Sequence, residues 1–248
     1  MPSNMARPRE RVSIQMSERR TELIPLADGS ELRLTVAEPE SAVRGGIVVV
    51  HEARGLTAAV RSLAEGLAAE GWLVVMPHLY HRDGADELLA DGDSDQVRDQ
   101  VQRLSADSVL TDTDASFRWL ADRNVTGDRM GVVGFGLGGS VALIVAARRD
   151  LGAAVSVAAV GVLGALSDML PPLVEAAPEL RCPWLGIYGG DGQVPTDEIE
   201  KLRDAAASAD VATDLVHFPG SRHRFDTDQD THAEAWTRTL NWFDSHLR

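Results

Sequence analysis

The run Gly46-Ile47-Val48-Val49-Val50 is continuously apolar, and it constrains the fold more than any other stretch of the chain. A strand with one wet face alternates apolar and polar residues. An unbroken run needs cover on both faces, as in a parallel sheet packed between helices. Further strands read at Trp72–Met76, Met130–Val133, Ala153–Ala158, Trp184–Tyr188 and Thr213–Phe218. Helical periodicity fills the gaps: Ala58–Glu70 closed by Gly71, about 97–123, Ser140–Arg149, Asp197–Ala207, and a last helix over about 231–247. In that last helix Trp236, Leu240, Phe243 and Leu247 share one stripe, which reads as core packing. Ahead of the six strands, Thr21–Ala27 and Glu31–Glu38 flank Asp28-Gly29, a hairpin turn signal. The pattern predicts the α/β class: a mostly parallel sheet with an N-terminal antiparallel hairpin and helices on both faces. Residues 21–248 read as a single domain and residues 1–20 as a basic extension.

Charge and cysteine usage bound the partners. Twenty-four basic against 38 acidic residues give a net charge of −14, a field that repels phosphate backbones, so nucleic acid is not an expected partner. Residues 1–20 run the other way: Arg7, Arg9, Arg11, Arg19 and Arg20 against Glu10 and Glu18 make +3 and leave −17 on the rest. Such an arm suits docking on an acidic surface of its own chain or of a second copy, and self-association through residues 1–20 is a possible use of it. The start, Met1-Pro2-Ser3-Asn4, lacks the apolar core of a secretory signal, and no stretch approaches the length of a membrane-spanning helix. No membrane partner is therefore expected, and with Cys182 alone there is no internal disulfide, which points to a reducing, cytoplasmic compartment.

In an open α/β sheet the chemistry sits where loops leave the carboxyl ends of the strands. The strand Met130–Val133 runs into Gly134-Phe135-Gly136-Leu137-Gly138-Gly139 and then a helix. Gly134, Gly136 and Gly139 match G-x-G-x-x-G, but the next strand ends near Ala158 without the acidic residue a dinucleotide site needs. The same residues fit the frame of a nucleophile elbow, a sharp strand-to-helix turn flanked by small residues. Its further requirement is chain order: nucleophile, then acid, then histidine. Asp191 follows the strand Trp184–Tyr188, and His223 follows the strand ending at Phe218, in that order.

At these residues the chain resembles the dienelactone hydrolase family of α/β-hydrolases. The resemblance covers roughly residues 20–247. It rests on His51-Glu52-Ala53-Arg54-Gly55-Leu56, Met76-Pro77-His78-Leu79-Tyr80-His81-Arg82, the elbow, Tyr188-Gly189-Gly190-Asp191 with Val194-Pro195, and Gly220-Ser221-Arg222-His223-Arg224-Phe225. It implies hydrolysis of a small ester or lactone without a cofactor. Asp191 would orient His223, Glu52 would face the nucleophile, the N–H groups of Leu137 and Ala53 would form an oxyanion hole, and Arg82 would hold a substrate carboxylate. Family members carry cysteine, or sometimes serine, at the elbow. This chain has Gly136 there, so it cannot form an acyl-enzyme in the usual way. A second reading follows: a non-catalytic descendant that binds a small carboxylate or carbonyl ligand, or a protein partner, in the old cleft.

Other residues read more plainly. Ser140 lies one helical turn past the elbow, at the wrong level for a nucleophile, and Cys182 precedes a strand at the end opposite the site. The family's second carboxylate-binding arginine is replaced by Thr227. His51, His78 and His81 stand at neighbouring strand ends but lack a metal-ligand spacing, so no metal is expected. Asp91-Gly92-Asp93-Ser94-Asp95 begins like a calcium loop but has Gln96 and Gln102 where glycine and glutamate are needed. The acidic stretch Asp83–Asp95 reads as a solvated loop placed to cover the cleft.

Overall fold

A computed structural model describes residues 20–84, 94–167, 170–190, 194–219 and 229–248. Eight strands form one sheet: β1 (Arg20–Pro25), β2 (Glu31–Ala37), β3 (Gly45–Val50), β4 (Trp72–Pro77), β5 (Met130–Phe135), β6 (Ala153–Val157), β7 (Trp184–Gly189) and β8 (Thr213–Phe218). Their order across the sheet is β1-β2-β4-β3-β5-β6-β7-β8. The β1–β2 hairpin and its junction with β4 are antiparallel, and every other pairing is parallel. The expected hairpin and the six alternating strands are therefore all present.

The double-sided burial predicted for β3 is visible residue by residue. Val48 and Val50 join one apolar cluster, with Leu120 and Val141 of helices on that face. Ile47 and Val49 join the other, with Val60, Leu67 and Phe243 from helices on the opposite face. Burying each such side chain contributes about 1.5–3 kcal/mol, more than the roughly 1 kcal/mol span of strand propensity. Packing on both faces thus decides where β3 lies.

The helices are α1 (Ala58–Ala69), α2 (Ser94–Gln102), α3 (Ala106–Ala121), α4 (Leu137–Ala146), the single turn α5 (Leu173–Ala176), α6 (Thr196–Ala207) and α7 (Gln229–His246). The helical stretch expected over about 97–123 is two helices. The first run ends at Gln102, and Ser105 starts the second: its side chain accepts the Ser108 N–H while Ser108 Oγ accepts the Ser105 N–H, a reciprocal cap. Helix α4 begins three residues earlier than its periodicity suggests, directly after Gly136. Phe243 on α7 and Leu247 just after it are buried, with Trp236 and Leu240 packed against the same cluster.

No helix among the described residues is long and apolar enough to cross a membrane. Residues 1–19, most of the acidic stretch after Asp83, Asp191 and residues 220–228 with His223 lie outside the described residues.

Candidate active site

The turn from β5 to α4 is built by leaving side chains out. A Cβ on Gly134 would stand 2.2 Å from the Gly138 carbonyl, and one on Gly138 would stand 2.2 Å from the Val50 carbonyl oxygen. One on Gly139 would stand 2.9 Å from the Val157 oxygen. The first turn of α4 therefore lies directly on the backbones of β3, β5 and β6, which only glycine permits. Gly136 differs. Its backbone sits at φ 53° and ψ −116°, a region that L side chains rarely adopt, yet a Cβ there would meet nothing within 4 Å among the described residues. Its N–H is fixed to the Val157 carbonyl at 2.9 Å. Leu137 begins the helix, where N–H groups have no partner within it, and no hydrogen bond engages the Leu137 N–H among the described residues.

Facing this turn in the sheet is the end of β3, which pairs with β5 as Val50 with Gly134. The chain then makes a tight turn closed by Gly55 N–H to the Glu52 carbonyl at 2.9 Å. The half-buried Glu52 carboxylate accepts a hydrogen bond from the Thr57 hydroxyl at 2.7 Å. Tyr80 donates to the Ala53 carbonyl at 2.9 Å, and the Ala53 N–H has no acceptor among the described residues. His51 is fully buried. Its Nε2 accepts the Leu79 N–H at 3.1 Å, which leaves Nδ1 to carry the proton and donate to the Glu52 carbonyl at 2.8 Å. Burial pushes the His51 pKa down to about 4, so the ring is neutral at pH 7.

Arg82, in the turn after β4, is gripped by a partner that sequence reading missed. Its two terminal nitrogens reach the carboxylate of Asp112 at 2.9 and 2.8 Å. Asp112 is only 1% exposed, and His81 Nε2 lies 3.3 Å from the same carboxylate. The Asp112 hydrogen bonds raise the Arg82 pKa further, so the guanidinium is firmly charged. The signal was available: Val109, Asp112, Ser116 and Leu120 recur at helical spacing on α3, which puts a carboxylate on the buried face. Arg82 Nε also lies 3.6 Å from Asp28 in the hairpin turn.

The roots of the next two loops touch. Gly189 pairs with Phe218 at the ends of β7 and β8, and a Cβ on Gly190 would stand 2.1 Å from the Pro219 carbonyl oxygen. At Gly190 and Pro219 the chain therefore leaves the sheet side by side.

The model of the dienelactone hydrolase family matches residues 32–247. The chain belongs to that family. A relative in Yersinia pestis, named "Putative carboxymethylenebutenolidase", is 30% identical over 231 residues, 89% of this chain and 86% of its own length. The carboxymethylenebutenolidase of Rhodococcus opacus is 29% identical over 211 residues, 81% of either chain. Among solved structures, the "Putative Dienelactone Hydrolase" of Klebsiella pneumoniae superposes with a TM-score of 0.83 at 28% identity, covering 92% of this chain and 98% of that one.

Two other candidate nucleophiles have structural roles. Ser140 is fully buried; its hydroxyl donates to the Val160 carbonyl at 2.6 Å and accepts the Val160 N–H at 3.0 Å. Cys182 is 1% exposed, and burial pushes its thiol up to about 12, so it holds little thiolate. Tyr80 and Thr57, neither assigned a role from sequence, supply the hydrogen bonds that shape the Glu52–Gly55 turn.

Proposed function

We propose that this family member acts on small esters or lactones with a water molecule in place of the family's side-chain nucleophile. The observation that carries the reading is the elbow: its flanking glycines keep the turn tight, while no described residue lies within 4 Å of a Cβ at Gly136. In this reading Gly136 occupies the nucleophile position, and water fills the space. Asp191 orients His223, and His223 removes a proton from the water as it attacks the acyl carbon. The oxygen of the broken C=O π-bond takes the charge and is met by the N–H groups of Ala53 and Leu137. Collapse of that adduct expels the alkoxide, which takes the proton from His223, and an acid and an alcohol leave. Glu52 lines the approach to the water, and the exposed edge of Arg82, which Asp112 holds in place, is the part that a substrate carboxylate would meet. The side-by-side departure of the chain after β7 and β8 supports pairing of Asp191 with His223. A single buried cysteine suits a reducing, cytoplasmic compartment.

Rates should be low, because a triad without one member retains only about 10³–10⁴-fold catalysis in serine proteases. The test compares the wild-type chain with Gly136→Cys, Gly136→Ser and His223→Ala on an activated ester and a dienelactone. Slow wild-type turnover that His223→Ala abolishes is expected, with a large gain in Gly136→Cys. Turnover unchanged by His223→Ala would overturn the reading. The missing nucleophile favours a second reading, a cleft that binds a small carboxylate or carbonyl ligand, or a protein partner, without turning anything over. Activity confined to the Gly136→Cys and Gly136→Ser variants would select it.

A further inference from the structure

The donor peptide that joins Glu52 to Ala53 is held from behind. A trans peptide points its C=O and N–H in opposite directions, so whatever fixes the Glu52 carbonyl also aims the Ala53 N–H. Two donors converge on that carbonyl: His51 Nδ1–H at 2.8 Å and Gly55 N–H at 2.9 Å. Gly55 closes the turn and moves with it. His51 does not, because its Nε2 is anchored outside the turn, on the Leu79 N–H in the segment after β4. The ring is also packed against Tyr80, with centroids 4.9 Å apart, and Tyr80 in turn holds the Ala53 carbonyl, which fixes the next peptide along.

We propose that His51 is a positioning residue that aims the Ala53 N–H into the site by tying the Glu52 carbonyl to the end of β4. The ring acts as a rigid spacer between two backbones, with one nitrogen donating and the other accepting, so a single tautomer is required. Burial keeps it neutral, and a second proton would set Nε2–H against the Leu79 N–H. Met or Leu of similar volume could fill the space but could make neither bond. The proposal deepens the reading of Ala53 as an oxyanion donor and rests on it for its catalytic consequence, although not for its geometry.

The test has a structural arm that needs no activity. In the uniformly ¹⁵N-labelled wild-type chain at neutral pH, the His51 ring nitrogens should show the Nδ1–H tautomer, and the Nε2–H tautomer would overturn the proposal outright. Residual dipolar couplings should then show the Ala53 N–H vector rotated in His51→Phe, which keeps the aryl packing and loses both bonds. The vector should return towards its wild-type direction in His51→Asn, whose side-chain amide stands near the imidazole Nδ1. An unchanged vector in a folded His51→Phe sinks the idea. The kinetic arm places both substitutions on Gly136→Cys. His51→Phe should lower kcat about 10²-fold with KM nearly constant, the size of one lost oxyanion donor, and His51→Asn, which can restore the bond to the Glu52 carbonyl but not the anchor on Leu79, should recover part of it. Equal losses in kcat for the two variants would overturn the positioning role. If Gly136→Cys turns nothing over, the hydrolase reading fails, while the tautomer and the coupling still decide on His51.

Discussion

The two walls of the candidate site fix their backbones by opposite means. At the β5–α4 turn the chain is placed by missing side chains: Gly134, Gly138 and Gly139 let one backbone rest on another. At the β3 end it is placed by side chains that are present and hydrogen-bonded: the buried His51 and Tyr80 and the half-buried Thr57 hold carbonyl and carboxylate oxygens at 2.7–2.9 Å. Steric placement has no titratable part and no tolerance for an added carbon. Hydrogen-bonded placement tolerates neighbouring changes of shape but depends on protonation. The elbow should therefore fail by substitution, and the facing wall by acid.

The largest effect expected is Gly138→Ala, whose added carbon would lie 2.2 Å from the Val50 oxygen and 2.6 Å from the His51 oxygen, both backbone. A loss above about 4 kcal/mol, or failure to fold, should appear in urea unfolding. Its counterpart is Gly136→Ala, which meets no described residue within 4 Å and faces only the cost of a positive φ, about 1–3 kcal/mol. If the two substitutions cost the same, packing does not separate the elbow's centre from its frame.

Acid tests the other wall. His51 has its folded pKa near 4 against about 6.5 unfolded, so above pH 6.5 both states hold it neutral and stability does not depend on it. Between pH 6.5 and 4 the unfolded chain binds a proton that the folded chain refuses, and stability falls by roughly 3 kcal/mol from this ring. His78, pushed to about 3 chiefly by burial, adds a loss of the same sign. The midpoint of urea unfolding should drop over that window, and His51→Phe should flatten the dependence. A midpoint that stays level from pH 7 to 4.5 would break the comparison.

A smaller effect concerns the anchor beneath Arg82. Asp112→Asn removes the buried carboxylate from a bidentate pair and should cost about 1–3 kcal/mol. Adding Arg82→Met should cost less than the sum of the single changes, since the two groups act as one. Simple additivity in a double-mutant cycle would show that the pair contributes nothing as a pair.

Much of this was legible from the residues. Unbroken apolar runs required a sheet covered on both faces, and the elbow stood out because glycines clustered at a strand end. Three features were not legible, each for a physical reason. The break before α3 depends on a serine–serine cap that periodicity does not register. Asp112 belongs to the buried face of an amphipathic helix, yet nothing local marks Arg82 as its partner 30 residues away. His51 stands out as a strand-end histidine, but its role depends on which nitrogen meets Leu79, and that is set by the placement of β4 beside β3.

The open space at Gly136 also bears on redesign. Of the elbow glycines, 134, 138 and 139 are fixed by the backbones around them, whereas 136 is a mounting point. The Cβ of a thiol or hydroxyl side chain placed there would meet no described residue within 4 Å. Installing new chemistry on this chain then starts from one position, at the cost of a side chain on a positive φ.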